Sequence, residues 1–334
     1  MSTIREVAAK AGVSVTTVSR TLNNRGYISQ KMRDRIRKAM DELNYQPNEV
    51  ARSLSFQHTR MIGVLVPEIE GPFFASVVSR LSRLLTDRGY KMLLYIASGS
   101  DDSAPDYINM LKSNQVDGVI IALRSKSLDN ALLGRLPVVS FERLPFSEIP
   151  TVLCDNLQGG RLAAQELLDT GCVRPLMIGG RHATESIPAF ERFRGYRETM
   201  EAAGYPVRIY EIQEENCNGD YIAPVRKALR QYADADGLFC TSDRIAACAM
   251  QEVLRLGKRV PEDVRIVGFN DVQLPYLSAI PMTSVHQPLD RMCAAAVDCL
   301  LAQINGEAYH SGLLFPVELT RRASTRGYHD EVLP

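Results

Sequence analysis

No Cys-x-x-Cys pair, no metal-ligand spacing and no long apolar run occurs in these 334 residues. The seven cysteines, at 154, 172, 217, 240, 248, 293 and 299, are dispersed, and several lie inside apolar runs. They read as buried thiols of a reducing compartment. The five histidines, at 58, 182, 286, 310 and 329, are equally scattered, so no metal site is expected. No segment approaches the ~20 apolar residues of a membrane span. The chain opens on a polar, capped segment without an apolar signal core, so a cytoplasmic location and no membrane partner are expected. No G-x-G-x-x-G, Walker loop, G-x-S-x-G or H-E-x-x-H occurs, and each absence removes an enzyme mechanism. Neither catalytic residues nor a cofactor are therefore expected. With 45% hydrophobic residues, the chain can bury a large core and holds more than one domain.

Net charge is also absent, at 39 basic against 39 acidic residues, but its distribution is uneven. Residues 1–60 carry eleven Lys and Arg against five Asp and Glu, a net +6, which leaves −6 for the remainder. A basic head on an acidic body fits a phosphate-binding module attached to something that does not bind polyanions. Within the head, TIREVAAKAGVSVTTVSRTLN (3–23) reads as two short helices and a tight turn. Thr3 and Glu6 form a capping box ahead of Ile4, Val7, Ala8 and Ala11 on one helix face. Gly12 ends that helix, Val13 anchors the turn and Ser14 caps a second helix. Val18 and Leu22 then point inward, while Val15, Thr16, Thr17, Ser19 and Arg20 point outward. Such a small, polar, basic face can enter a major groove, although the same spacing also fits an ordinary helical hairpin of a core. A third amphipathic segment, Ser29–Leu43, closes the group with Met32, Ile36, Ala39, Met40 and Leu43. Pro47 marks a boundary, after which NEVARSL (48–54) is too short to be helical alone and needs a partner. Asn48 can cap it, Val50, Ala51 and Leu54 give it an apolar edge, and Arg52 is a phosphate ligand; a plain linker is the competing reading.

From Met61 the texture changes to short apolar strands alternating with amphipathic helices. Strands are expected at 61–67, 91–97, 118–123, 137–142, 151–156, 175–180, 207–212, 237–242 and 265–271, and helices near 74–88, 105–114, 160–170, 189–203, 221–233 and 243–256. Two such series imply two doubly wound lobes with parallel sheets and a ligand site at the strands' carboxyl ends. Polar residues collect there: Glu142 and Arg143, Ser242 and Asp243, Asn270 and Asp271, with Arg192 early in a helix. Together they suit multidentate hydrogen bonding to a polyhydroxylated ligand, while each taken singly also fits a helix cap or a surface charge.

TIREVAAKAGVSVTTVSRTLN, ELNYQPNEVARSL, MIGVLVPEIEGPFF, VDGVII, PVVSFER, GFND, TSVHQP and PVELTRRAST together resemble the LacI/GalR family of bacterial transcription repressors over essentially the full chain. RGYISQ and GGRLAAQELLDTGCVRPLMIGG look most like the sucrose-operon repressors. The resemblance implies a homodimer on double-stranded operator DNA. Val15, Thr16 and Arg20 would read bases, with Thr17, Ser19 and Asn23 nearer the backbone. The segment Asn48–Leu54 would form a hinge helix in the minor groove, where Leu54 wedges into a base step. Arg192 matches the family arginine that grips the effector in R-x-x-G-Y, Asn270 the position after the GF strand, and Phe74 the aromatic of N-P-F-F. Gly71, Glu142, Ser242 and Cys172 depart from the family pattern. Glu142 favours an uncharged sugar over a sugar phosphate.

The expected fold is thus α/β: a three-helix helix-turn-helix domain at 1–47, a hinge helix and linker at 48–60, and an effector-binding and dimerisation domain at 61–328 of periplasmic-binding-protein type. Its first lobe would hold about 61–156 and 288–315, its second about 157–285 and 316–328. The expected function is repression of a sugar-utilisation operon, relieved by a sugar between the lobes, with sucrose the first choice. A global carbon-catabolite regulator using a phosphorylated protein co-repressor, and a solute-binding protein without a DNA role, are the alternatives.

Overall fold

The computed structural model describes residues 2–22, 26–45, 58–97, 104–113, 115–123, 136–142, 149–180, 188–212 and 220–327. It divides into two compact units, Met1–Arg60 and Met61–Pro334.

The first unit contains α1 (Ile4–Ala11), α2 (Val15–Leu22) and α3 (Gln30–Glu42). Its local signals act as read. The Thr3 side chain and Glu6 form a reciprocal capping box, and Gly12 turns the chain at φ 60°. Ser14 Oγ accepts the Thr17 amide at 3.1 Å. Val7, Ala8, Ala11, Val18, Ile36 and Ala39 make the core, flanked by Ile4, Val13, Leu22, Met32, Met40, Leu43 and Tyr45. Two exposed contacts join α3 to α1 and its end: Lys10 to Glu42 at 2.8 Å and Arg35 to the Gly12 carbonyl at 3.3 Å.

The second unit has two six-stranded sheets. In chain order its elements are β1 (Met61–Val66), α4 (Pro72–Asp87), β2 (Lys91–Ile96), α5 (Ala104–Ser113), β3 (Gly118–Ile121), β4 (Val138–Phe141), β5 (Thr151–Cys154), α6 (Asn156–Asp169), β6 (Pro175–Gly180), α7 (Pro188–Ala202), β7 (Ile209–Ile212), α8 (Ile222–Gln231), β8 (Gly237–Cys240), α9 (Asp243–Arg255), β9 (Arg265–Asn270), α10 (Leu274–Leu277), β10 (Thr283–His286), α11 (Leu289–Asn305), β11 (Gly312–Phe315), β12 (Glu318–Thr320) and α12 (Ala323–Arg326). The sheet orders are β11-β5-β4-β3-β1-β2 and β12-β10-β9-β8-β6-β7. Central strands β3, β4 and β8 are buried throughout, because helices cover both faces of a parallel sheet. Helix α11 shows the matching pattern: Met292, Cys293, Ala296, Val297 and Leu300 form one buried stripe, and Gly306 ends it at φ 70°.

The chain passes between the sheets three times. It does so from β5 into α6, which packs on the second sheet, from β10 into α11, which packs on the first, and between β11 and β12. These passages bring residues far apart in sequence to one junction.

Several expectations need correction, among them the strands expected to reach 123 and 242, which end at Ile121 and Cys240. The strand expected over 151–156 stops at Cys154, because Asp155 accepts the Gln158 amide at 2.8 Å and starts α6 four residues before Gly160. The strand expected from Val207 begins at Ile209. The sheets are not wholly parallel, since three-residue β12 runs antiparallel to β10 at an edge. It enters from the other sheet and has no crossover helix to reverse it.

Close packing of α6 on α7 depends on glycine. A Cβ at Gly160 would lie 2.1 Å from the Arg192 carbonyl oxygen, and one at Gly195 would lie 2.1 Å from the Leu157 carbonyl oxygen. Gly160→Ala is expected to cost ~3 kcal/mol, because neither backbone can yield without parting the helices. Urea unfolding followed by circular dichroism measures this, and an unchanged midpoint would refute the tight contact.

Candidate functional site: a polar junction between two lobes

On α2, Val15 is 41% exposed, and Thr16 and Arg20 are also exposed. Thr17 and Ser19, expected to face outward, are half-buried, and the Thr17 hydroxyl lies 2.8 Å from that of Ser14. Arg5, Lys31, Arg35, Arg37 and Lys38 add exposed basic groups to this unit. Asn23, Asn48, Arg52 and Leu54, with the hinge helix, lie outside the described residues, as does Arg143.

In the second unit the polar residues at the strand ends do come together. Glu142 follows β4 at φ 51° and is 3% exposed. Its carboxylate accepts the Cys154 amide and, at 3.3 Å, the Asn156 side-chain amide. Arg192 on α7 is 8% exposed and donates through Nε to Asn156 Oδ1 at 2.7 Å and through Nη1 to the Thr241 carbonyl at 2.7 Å. Its guanidinium stacks over the Phe269 ring at 3.6 Å and reaches to 3.9 Å from Glu142 Oε2. Burial draws the Arg192 pKa below its ordinary value, opposed by Cys154, Glu142 and Asp243 nearby.

Ser242 caps α9 through the Ile245 amide. Asp243, in the first turn of α9, accepts the Ser284 hydroxyl and the Val272 amide. Burial pushes its pKa up to about 7, against those hydrogen bonds. Asn270 ends β9 and Asp271 follows it, at φ 111° and 57°, a region that non-glycine residues seldom occupy. Asn270 Oδ1 accepts Gln287 Nε2 at 2.7 Å. Asp271 meets Arg322 at 2.8 Å, His286 Nδ1 at 3.1 Å and the Thr320 hydroxyl at 3.1 Å. Burial works to raise the Asp271 pKa, but the bonds from His286 and Arg322 outweigh it and hold it low. Phe74 on α4 is half-buried, edge-on to Phe73 at 5.1 Å.

Asn156, Phe269 and Gln287 were not among the residues read from sequence. A strand carried through to residue 156 concealed Asn156. The available signal was Asp155 three residues before Gln158, followed by the small pair Gly159-Gly160. Across the mouth, Arg244 of α9 meets Glu68, just beyond β1, at 3.3 Å.

Chemically the junction offers amides, carboxylates and guanidinium groups at the carboxyl ends of two sheets. Among the described residues no group of His, Cys, Asp or Glu could hold a metal ion. No described helix is long and apolar enough to cross a membrane. A helix-turn-helix unit joined to two parallel-sheet lobes with a polar junction defines a ligand-responsive DNA-binding regulator.

Comparison with known proteins agrees. Residues 3–48 match the model of the bacterial regulatory proteins, lacI family, and residues 164–325 match a periplasmic binding protein-like domain. A sucrose operon repressor of Pediococcus pentosaceus is 34% identical over 320 residues, covering 95% of this chain and 98% of the relative. A ribose operon repressor of Halalkalibacterium halodurans is 33% identical, covering 98% of each. A solved complex of the transcriptional regulator CelR with cellobiose is 30% identical with TM-score 0.70, covering 97% of this chain and 100% of that one. The chain belongs to the LacI family: it is a DNA-binding transcription regulator, not an enzyme.

Proposed function

We propose that this regulator represses a sugar-utilisation operon as a cytoplasmic homodimer on double-stranded operator DNA, and that an uncharged sugar between its lobes releases it. The observation that carries the reading is the charge balance at the junction. Glu142 and Arg192 lie 3.9 Å apart, and the Asn156 amide bonds to both. A neutral polyol can exchange hydrogen bonds with both charges, whereas an anion would meet the Glu142 carboxylate. Phe74, Ser242, Asp243 and Asp271 complete the effector set, the last two by holding the turn that carries Asn270. Sucrose is the first choice, supported by the sucrose operon repressor among the relatives and by the disaccharide in the CelR complex. On the DNA side, Val15, Thr16 and Arg20 read base edges, while Thr17, Ser19 and Asn23 hold the backbone. Asn48, Arg52 and Leu54 engage the minor groove as a paired hinge helix.

Fluorescence anisotropy tests this on a pseudo-palindromic duplex selected by the protein from a randomised pool. Sucrose, fructose, glucose, D-ribose, cellobiose and the sugar phosphates are added in turn. An uncharged sugar that weakens binding supports the reading and names the effector. Release by a phosphate ester alone overturns the charge argument, and binding unmoved by every compound overturns the sugar reading.

A further inference from the structure

Asn156 is the first residue of α6, placed where the chain leaves the first sheet for the second. It is 3% exposed and uses both ends of its amide. Nδ2 donates to the Cys154 carbonyl at 3.0 Å and to Glu142 Oε2 at 3.3 Å, while Oδ1 accepts Arg192 Nε at 2.7 Å. The partners dictate the orientation. A guanidinium only donates and a carboxylate only accepts, so the oxygen must face Arg192 and the NH2 must face Glu142. Aspartate in this position would have nothing to donate to Glu142, and alanine would satisfy neither partner.

The two groups that Asn156 joins belong to different lobes. Glu142 ends β4 of the first sheet, and Arg192 rides on α7 beside the second. The glycine contacts of Gly160 and Gly195 press α6 onto α7 backbone to backbone, so Asn156 and Arg192 move as one body. The Asn156–Glu142 bond is then one of the links that span the lobes, beside the Asn156 contact with the Cys154 carbonyl and the Arg244–Glu68 pair, and the one that ends on a charged group facing Arg192. At 3.9 Å the Arg192–Glu142 approach is longer than a hydrogen bond, so the carboxylate and guanidinium stand apart as a matched pair with the amide wedged between them.

We propose that Asn156 is a positioning residue of the effector site: it fixes the separation and orientation of Glu142 and Arg192 and transmits ligand exchange at that pair to the lobe junction. The proposal builds on the sugar reading of this cleft, but part of its test needs no sugar. In ligand-free, full-length protein the Arg192 Nε–H resonance reports the bond to Asn156 directly. Asn156→Ala should shift that resonance and speed its exchange with solvent, and an unmoved resonance overturns the proposal.

Sucrose, or whichever tested sugar releases the wild-type protein from DNA, supplies the second measure. Asn156→Ala should raise the concentration for half-release at least tenfold. In Arg192→Ala the same change should add less than twofold, because its effect runs through Arg192. A structural role alone would multiply the two effects, and that outcome also overturns the proposal. Asn156→Asp keeps the acceptor for Arg192 but has no hydrogen to donate to Glu142, so its sugar response should be as weak as that of Asn156→Ala. A wild-type sugar response in this variant overturns the Glu142 link. Thermal midpoints identify any variant that has lost its fold. If no sugar acts on the wild type, the sugar reading falls, and the Arg192 resonance still decides the role of Asn156.

Discussion

Arg20→Ala is expected to lower operator affinity about a thousandfold in fluorescence anisotropy, with the helix-turn-helix unit still folded. The side chain is exposed on α2, outside the core built on Val7, Val18 and Ile36, so its loss removes no packing. A guanidinium in the major groove can hold a guanine through two hydrogen bonds, which is worth ~1–3 kcal/mol of base discrimination. A homodimer presents two such helices, so a loss of ~2 kcal/mol in each half-site becomes ~4 kcal/mol. At about 1.4 kcal/mol per tenfold, that is roughly a thousandfold. Arg20→Lys separates charge from geometry, because lysine keeps phosphate attraction without the planar fork. It should retain non-specific binding and lose most of the preference for the operator. Wild-type operator affinity in Arg20→Ala would remove α2 from the reading surface.

Arg192→Ala is expected to raise the sugar concentration for half-release about a hundredfold while the operator is still bound. Charge-assisted bonds to a buried ligand are worth ~1.5–3 kcal/mol, and Arg192 supplies a buried guanidinium beside Glu142. The same change leaves the Thr241 carbonyl, Asn156 Oδ1 and the buried Glu142 carboxylate without this partner. Thermal stability should therefore fall as well, by ~3 kcal/mol, as for any buried pair reduced to one member. Arg192→Lys retains the charge and should recover part of that stability, yet lysine cannot reach Asn156 and Thr241 with a rigid fork. Its sugar response should stay weak. Release of Arg192→Ala at the wild-type sugar concentration would overturn the role of this residue.

Both effects depend on features of different legibility. Arg20 sits in a unit whose logic is local. The capping box at Thr3 and Glu6, the left-handed Gly12 and the Ser14 cap each involve residues within a few positions, so residue type and spacing suffice to read them. The alternation of apolar runs and amphipathic helices after Met61 is similarly direct, because covered parallel strands must be apolar along their length. Nothing beyond residue 271 was read as an element, so β10, the 17-residue α11 and β11 escaped along with the short ones. α10 and α12 span four residues each, too few to show a period, and β12 follows β11 after only two residues in a different sheet.

The effector site divides along the same line. Its candidate residues were readable one by one, since Glu142, Ser242, Asp243, Asn270 and Asp271 all stand at the ends of apolar runs, where α/β sheets bind ligands. Their mutual arrangement was not. The approach of Glu142 to Arg192 joins residues fifty positions apart, and that of Glu68 to Arg244 spans 176 positions. Neither pair has a periodic or spacing signal. The positive φ of Glu142, Asn270 and Asp271 is likewise imposed by partners elsewhere in the chain, such as Val152, Gln287 and Arg322. Sequence alone therefore determined the elements, the basic reading head and the strand ends, because these follow from near-neighbour chemistry and burial period. Only the tertiary structure decided that Asn156 joins two lobes, because three passages between sheets bring its partners together and no local preference encodes that meeting.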